Sequence, residues 1–226
     1  MTTLYALGLG VGTQNSKGEW LEVFYPRPLL NPNATTAELV AEAVGYQGGN
    51  TVVTLTPEML NRLNGKAGEL DEVIQAFQES RKPLVAVLLA NNDGPKSVPE
   101  AYLKLHLLSH RLVKPHGTKL DGIFGVLPNV AWTNKGAMDL ADLPKAQLAA
   151  RLKGELLSVD SVDKFPKMTD YVLPKGVRIA DTARVRLGAY LGEGTTIMHE
   201  GFVNFNAGTL GTSMVEGRIS AGVVIG

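Results

Sequence analysis

Leu173-Pro-Lys-Gly-Val-Arg-Ile179-Ala-Asp-Thr-Ala-Arg-Val185-Arg-Leu-Gly-Ala-Tyr-Leu191-Gly-Glu-Gly-Thr-Thr-Ile197-Met-His-Glu-Gly-Phe-Val203 repeats a branched aliphatic at every sixth position. A small residue stands four places after most of these anchors: Ala183, Ala189, Thr195, Gly201 and Ala207. A helix repeats every 3.6 residues and a half-buried strand every two, so neither generates a step of six. A solenoid does, because each short unit stacks on the next and buries its apolar position against it. Each hexad is expected to form one flat face of a triangular coil, with Leu173, Ile179, Val185, Leu191, Ile197 and Val203 pointing inward.

The pattern then breaks. Residue 209 is a threonine, the run Gly208–Gly217 does not fit, and the step resumes at Ile219 and Ile225. The interval from 203 to 219 reads as two hexads plus four, with a small excursion at one corner. The step is still running at Ile225 and no capping segment follows it, so the sequence reads as part of a longer chain. Coil and spacing together resemble the left-handed parallel β-helix of hexapeptide-repeat acyltransferases.

Residues 1–155 read as a mixed α/β domain, 156–171 as a polar connector, and 172–226 as the incomplete left-handed β-helix; the class is α+β followed by a hexapeptide-repeat solenoid. Strands are expected at Leu4–Val11, Trp20–Tyr25, Thr51–Leu55, Leu84–Leu89 and Ile123–Leu127. Helices are expected at Thr36–Val44, Leu70–Ser80, Pro99–Leu112 and Lys145–Leu152. Ser97 and Glu100 have the spacing of a capping box with Pro99 in the first turn, and Thr56-Pro57 is an N-cap followed by proline.

Among the 226 residues, 22 Lys and Arg balance 22 Asp and Glu, so net charge argues for neither nucleic acid nor an anionic membrane. The absence of cysteine removes disulfides, thiolate-zinc sites and thiol catalysis, and suits a reducing cytosol. The amino-terminal stretch has no basic n-region, and no apolar run approaches a membrane span. A cytoplasmic location is expected.

Three motifs are set aside. Gly8-Leu-Gly10-Val-Gly12 lacks dinucleotide-loop spacing and reads as a hairpin turn. His106 and His110 stand four apart but lack the glutamate and third ligand of a zinc site, so they read as a surface or interface pair. Arg81-Lys82 and Arg111 to Lys114 read as solvated faces.

His199-Glu200 is kept. It lies at the third and fourth positions of its hexad, away from the inward anchor, and is followed by Gly201-Phe202-Val-Asn204-Phe-Asn206. A carboxylate there can take a proton from an attacking ammonium, or can itself attack an activated thioester. Asn204 and Asn206 can hold a carboxylate or an oxyanion, or can stack as structural ladder residues at coil corners.

Longer runs carry a more specific resemblance. Met198–Thr209, Val215–Gly222 and Val162–Tyr171 resemble tetrahydrodipicolinate N-succinyltransferases of the actinobacterial and pseudomonad branch, as do Glu100–His116 and Leu127–Asn134. The resemblance covers essentially the whole chain. It implies transfer of succinyl from succinyl-CoA, a co-substrate and not a tightly bound cofactor, to the amine of ring-opened tetrahydrodipicolinate on the route to diaminopimelate and lysine. It implies Glu200 as the catalytic carboxylate and a homotrimer with active sites in the grooves between prisms. Whether a magnesium ion sits on the trimer axis stays open. By position, Arg184, Arg186 and Arg218 are the cations for a dicarboxylic acceptor or for CoA phosphates, with Phe202, Asn204, Asn206, Gly217 and Ser220 around them. The coils expected to hold most of the pantetheine arm lie beyond Gly226, so the 226-residue chain alone is expected to bind CoA poorly. The alternatives are another CoA-dependent hexapeptide-repeat acyltransferase and a non-catalytic trimeric solenoid. An anhydrase relative needs three converging histidines, and the solenoid segment supplies only His199.

Overall fold

The computed structural model describes residues 2–226. The amino-terminal part is built on an antiparallel sheet of β1 (Ala6–Gln14), β2 (Trp20–Phe24), β3 (Leu29–Leu30), β4 (Thr51–Thr54) and β5 (Leu84–Leu89), in the order β2-β1-β5-β4 with β3 beside β1. The segment between β3 and β4 folds as α1 (Ala34–Val44), and that between β4 and β5 as α2 (Pro57–Leu63) and α3 (Asp71–Phe77). Their apolar faces bury Leu7, Leu9 and Leu88 on one side of the sheet. α4 (Val98–Ser109) covers the other side. The expected caps form. Thr56 Oγ1 accepts from the Met59 N–H at 3.4 Å, Ser97 Oγ accepts from the Glu100 N–H at 3.5 Å, and the Glu100 carboxylate reaches back to the Lys96 N–H at 2.8 Å.

Gly8-Leu-Gly10-Val-Gly12 is not a turn but the middle of β1. The glycines are there for close approach. A Cβ on Gly8 would come within 2.7 Å of both the Tyr25 ring and Leu103, and one on Gly10 within 2.5 Å of Val23. Ile123–Leu127, expected as a strand, begins with the short helix α5 (Ile123–Val126). After it come β6 (Val130–Thr133), β7 (Gly136–Asp139), α6 (Leu143–Leu152) and β8 (Val159–Asp163). The three strands make a small antiparallel sheet, β7-β6-β8, so the stretch expected to be a polar connector contains a paired strand followed by buried Phe165 and Met168.

The remaining strands, β9 (Arg178–Ile179), β10 (Tyr190–Leu191), β11 (Thr196–Ile197), β12 (Phe202–Val203), β13 (Gly208–Thr209), β14 (Met214–Val215), β15 (Arg218–Ile219) and β16 (Val224–Ile225), pair only in parallel. Ile179 lies beside Ile197 and Ile197 beside Val215, each eighteen residues on, which is three hexads per coil. Val185, Leu191, Ile197 and Val203 are fully buried, and Ile179 is half-buried. Leu173 is 71 % exposed, whereas Val172 is buried, so the inward series starts after residue 173.

The break at 209 is also different from expectation. Thr209 is buried on the inward register between Leu191 and Ile225, and Val215 continues the step. The irregularity is a shortening: Val203 pairs with Ile219, sixteen residues on, because two residues are missing at the corner between Val215 and Ile219. A buried threonine is tolerated because its hydroxyl is paired. Thr209 Oγ1 lies 2.6 Å from Thr195 Oγ1, which is itself within 2.7 Å of the Gly192 carbonyl.

One apolar core runs from the sheet through α4 into the coil interior. α4 is buried from Pro99 to Ser109 because it is sandwiched, with Tyr25 on one side and the first coils on the other. Ser109 Oγ accepts from the Gly188 N–H at 2.8 Å and donates to the Ala189 carbonyl at 3.1 Å.

Candidate functional site

Val185, Val203 and Ile219 form one inward rank of the coil. Strand side chains alternate, so the residues flanking these anchors face outward. Arg184, Phe202 and Arg218 precede them, and Arg186, Asn204 and Ser220 follow. Six sequence-predicted site residues thus share one outer face. Glu200 lies at the corner that leads into this face, Gly217 at the corresponding corner of the next coil, and Asn206 at the corner that leaves it.

The Glu200 corner is held from below. Arg184 Nη2 donates to the Glu200 carbonyl at 3.0 Å and its Nε to the Gly201 carbonyl at 3.2 Å. Four residues, Met198–Gly201, separate β11 from β12, but only two, Glu216 and Gly217, separate β14 from β15. The longer corner overhangs the shorter one. Gly201 is required at this step because a Cβ there would run into the Val215 carbonyl. His199 and Glu200 are exposed, and the Glu200 carboxylate forms no hydrogen bond among the described residues. It is free to meet a ligand.

Arg186 is already engaged. Its Nη2 meets Asp163 Oδ2 at 2.6 Å, its Nη1 donates to Asn204 Oδ1 at 3.1 Å, and its guanidinium stacks over Phe165 and Phe202 at 5.3 and 5.8 Å. The Asn204 oxygen also accepts from the Phe205 N–H at 2.9 Å. Asp163 belongs to β8, so the small sheet roofs this end of the solenoid face. Asn206 has a left-handed backbone, φ 54°, and its Oδ1 accepts from the His116 N–H at 2.8 Å. Its geometry is that of a corner residue. Arg218 is exposed on the third coil without a hydrogen-bond partner among the described residues, which leaves its guanidinium available to an anion.

Of the histidine pair expected at a surface or interface, His106 is internal and His110 half-buried. His106 is fully buried, and burial lowers its pKa to about 3. Its Nε2 accepts from the Tyr25 N–H at 3.2 Å, so Nδ1 carries the proton and donates to the Tyr102 carbonyl at 2.7 Å. A neutral imidazole with both nitrogens used is a packing residue. Arg111 is not part of a solvated face either: its Nη2 donates to the Lys175 carbonyl at 2.9 Å and its Nε to that of Leu191. Among the described residues no cluster of three or more His, Cys, Asp and Glu could hold a metal ion, and no helix is long and apolar enough to cross a membrane.

Sequence reasoning did not single out Asp163 or the cleft beside Arg186, lined by Glu22, Trp132, Tyr171 and Phe202. Asp163 and Tyr171 do lie inside one of the runs that carried the family resemblance.

Coil and decorated face together define a protein of the hexapeptide-repeat acyltransferase fold. A family model described as the middle part of tetrahydrodipicolinate N-succinyltransferase matches residues 127–167. Over 99% of the chain, a Pseudomonas putida 2,3,4,5-tetrahydropyridine-2,6-dicarboxylate N-succinyltransferase is 63% identical. A Salinispora tropica protein of the same name is 61% identical over the full chain. A Campylobacter jejuni crystal structure assigned as a 2,3,4,5-tetrahydropyridine-2-carboxylate N-succinyltransferase superposes on 99% of the chain with a TM-score of 0.90 at 29% identity, and 64% of that protein is covered. The chain belongs to the tetrahydrodipicolinate N-succinyltransferase family. It spans 66% of the length of these curated relatives.

Proposed function

We propose that this protein transfers succinyl from succinyl-CoA to the amino group of ring-opened tetrahydrodipicolinate, with Glu200 as the catalytic carboxylate. The observation that carries the reading is the exposed, unengaged Glu200 on an overhanging corner of the same coil face as Arg218, in a chain 63% identical to a relative of that name. The neutral amine attacks the thioester carbonyl, and Glu200 takes the proton that the nitrogen loses as the C–N bond forms. The C–S bond then breaks and CoA leaves as the thiolate. A second route has Glu200 attack first to form a mixed anhydride. The base role is favoured, because a neutral amine is a competent nucleophile and a thioester is already activated. Arg218 suits a carboxylate of the acceptor or a CoA phosphate. Arg184 acts through the backbone by fixing the corner. No step is routed through a metal.

The same reading gives the coil a left-handed sense and places it in a cytoplasmic homotrimer, with solenoid faces packed about an axis so that each site borrows from a neighbour. It gives residues 172–226 to the coil domain, 1–155 to the amino-terminal domain and 156–171 to the link between them. The hexad register and the likeness to the Campylobacter structure support the coil assignment.

The test is free-thiol release from succinyl-CoA, against acetyl-CoA, with tetrahydrodipicolinate present. Glu200→Gln is expected to lower turnover at least ~100-fold. Light scattering should show wild type and variant as trimers with equal melting temperatures. Near-normal turnover in the variant removes Glu200 from the chemistry, and a stable monomer removes the shared site. Hydroxylamine capture of a succinylated Glu200 selects the anhydride route.

A further inference from the structure

We propose that the cleft between β2, the β7-β6-β8 sheet and the first coils binds a small organic ammonium ion, held by the Glu22 carboxylate and the aromatic faces around it. The cleft encloses about 430 Å³. Pairing decides its charge. Four carboxylates line it, Glu22, Asp160, Asp163 and Asp170, against two cations, Lys167 and Arg186. Arg186 is taken by Asp163 at 2.6 Å, and Lys167 faces Asp170 at 3.5 Å. Glu22 and Asp160 are left without an ion-pair partner among the described residues.

Glu22 is the inner of the two. It alternates with buried Leu21 and Val23 along β2, so its side chain leaves the opposite face of the strand, towards the cleft. The Tyr171 hydroxyl donates to its Oε2 at 3.1 Å. Burial pushes its carboxyl above the usual carboxylate range, against the opposing pull of the Thr13 and Tyr171 hydroxyls and of the Lys82 ammonium, which acts from beyond ion-pair distance. A cation arriving there stabilises the ionised form that burial penalises. Phe24, Trp132, Tyr171 and Phe202 contribute the apolar lining, and an ammonium over aromatic faces is attracted by the ring quadrupoles.

The inference concerns binding of a cation and no acyl transfer, so it does not rest on the proposed function.

The experiment is calorimetric titration of the purified protein with n-pentylammonium chloride at fixed ionic strength, with tryptophan emission followed in parallel and sodium glutarate as the anionic control. Saturable amine binding is expected, with no competition from glutarate. Glu22→Gln should weaken it at least ~10-fold, since a charge-assisted contact and a cation–π setting are lost together. The remote exposed Glu79→Gln should leave it unchanged, and far-UV circular dichroism should confirm that both variants fold. Absence of saturable amine binding by wild type, equal affinity in Glu22→Gln, or displacement of the amine by glutarate overturns the proposal. Because the readout is binding and not turnover, its failure and that of the Glu200 assignment are separable.

Discussion

The hydroxyl pair inside the coil shows how one side chain can occupy an apolar position. Thr209 stands where every other coil places a branched aliphatic, and it does so by giving its proton to Thr195, whose own proton goes to the Gly192 or Gly211 carbonyl. Removing each partner therefore has unequal consequences. Thr209→Val leaves no donor stranded and is expected to cost ~1 kcal/mol or less. Thr195→Val strands the Thr209 hydroxyl in the core and is expected to cost ~1–3 kcal/mol, much of which the double variant should recover. Urea unfolding of the three variants measures this; equal costs for the two single changes would refute the pairing. The six-step exposed this position as an anomaly in the sequence, but not as an occupied anchor. The compensating hydroxyl is fourteen residues away and reaches it only after the coil closes.

At the scale of elements, β1 shows the same limit. Its glycines alternate with Leu7 and Leu9, and glycine in a strand signals close approach as readily as a turn. The Tyr25 ring decides between them. Its hydroxyl donates to the Pro99 carbonyl at 2.8 Å, fixing the ring between β1 and α4. Gly8→Ala forces a methyl against that ring and Leu103 and is expected to cost ~1–3 kcal/mol. A thermal melt unchanged from wild type would contradict the packing. The helices were more legible, because Ser97, Thr56 and the prolines beside them are local signals that act on adjacent backbone. β6, β7 and β8 were not, since each needs a partner from a distant stretch and the stretch assigned as a connector is polar along one edge. Ile123–Leu127 has the composition of a strand, yet Gly122 in a left-handed turn starts a helix there.

Across the whole molecule, α4 joins sheet to solenoid, and Lys104 within it makes stability rise with pH in the alkaline range. Its ammonium donates to Asn92 Oδ1 at 2.8 Å and Thr118 Oγ1 at 3.2 Å, and burial lowers its pKa to about 8 from 10.5. The folded state then binds fewer protons than the unfolded chain between those values, so this residue's contribution to stability rises with pH across that window and falls as pH drops through about 8. Unfolding free energies of wild type and Lys104→Met, compared at successive pH values, should diverge in favour of wild type as pH rises. A constant difference would mean that the amine titrates normally.

The sequence by itself determined the coil, because a period of six belongs to a repeat whose units contact only their neighbours, and it determined the family through long runs of identical chemistry. The resemblance named Glu200, Arg184, Arg186, Phe202, Asn204, Arg218 and Ser220 as one set, and the coil decided their common face by stacking Val185 on Val203 eighteen residues on and Val203 on Ile219 only sixteen on. Tertiary structure alone decided which of those cations are free. Asp163 reaches Arg186 from another sheet, the carbonyls of the next corner hold Arg184, and Arg218 has neither. It also decided that His106 and Lys104 are interior, because Phe24, Tyr25 and Tyr171 close over the one and Tyr5, Asn92 and Thr118 over the other, all from distant stretches of chain. Contacts made by chain closure have no local pattern, so they carry no signal that a single sequence can show.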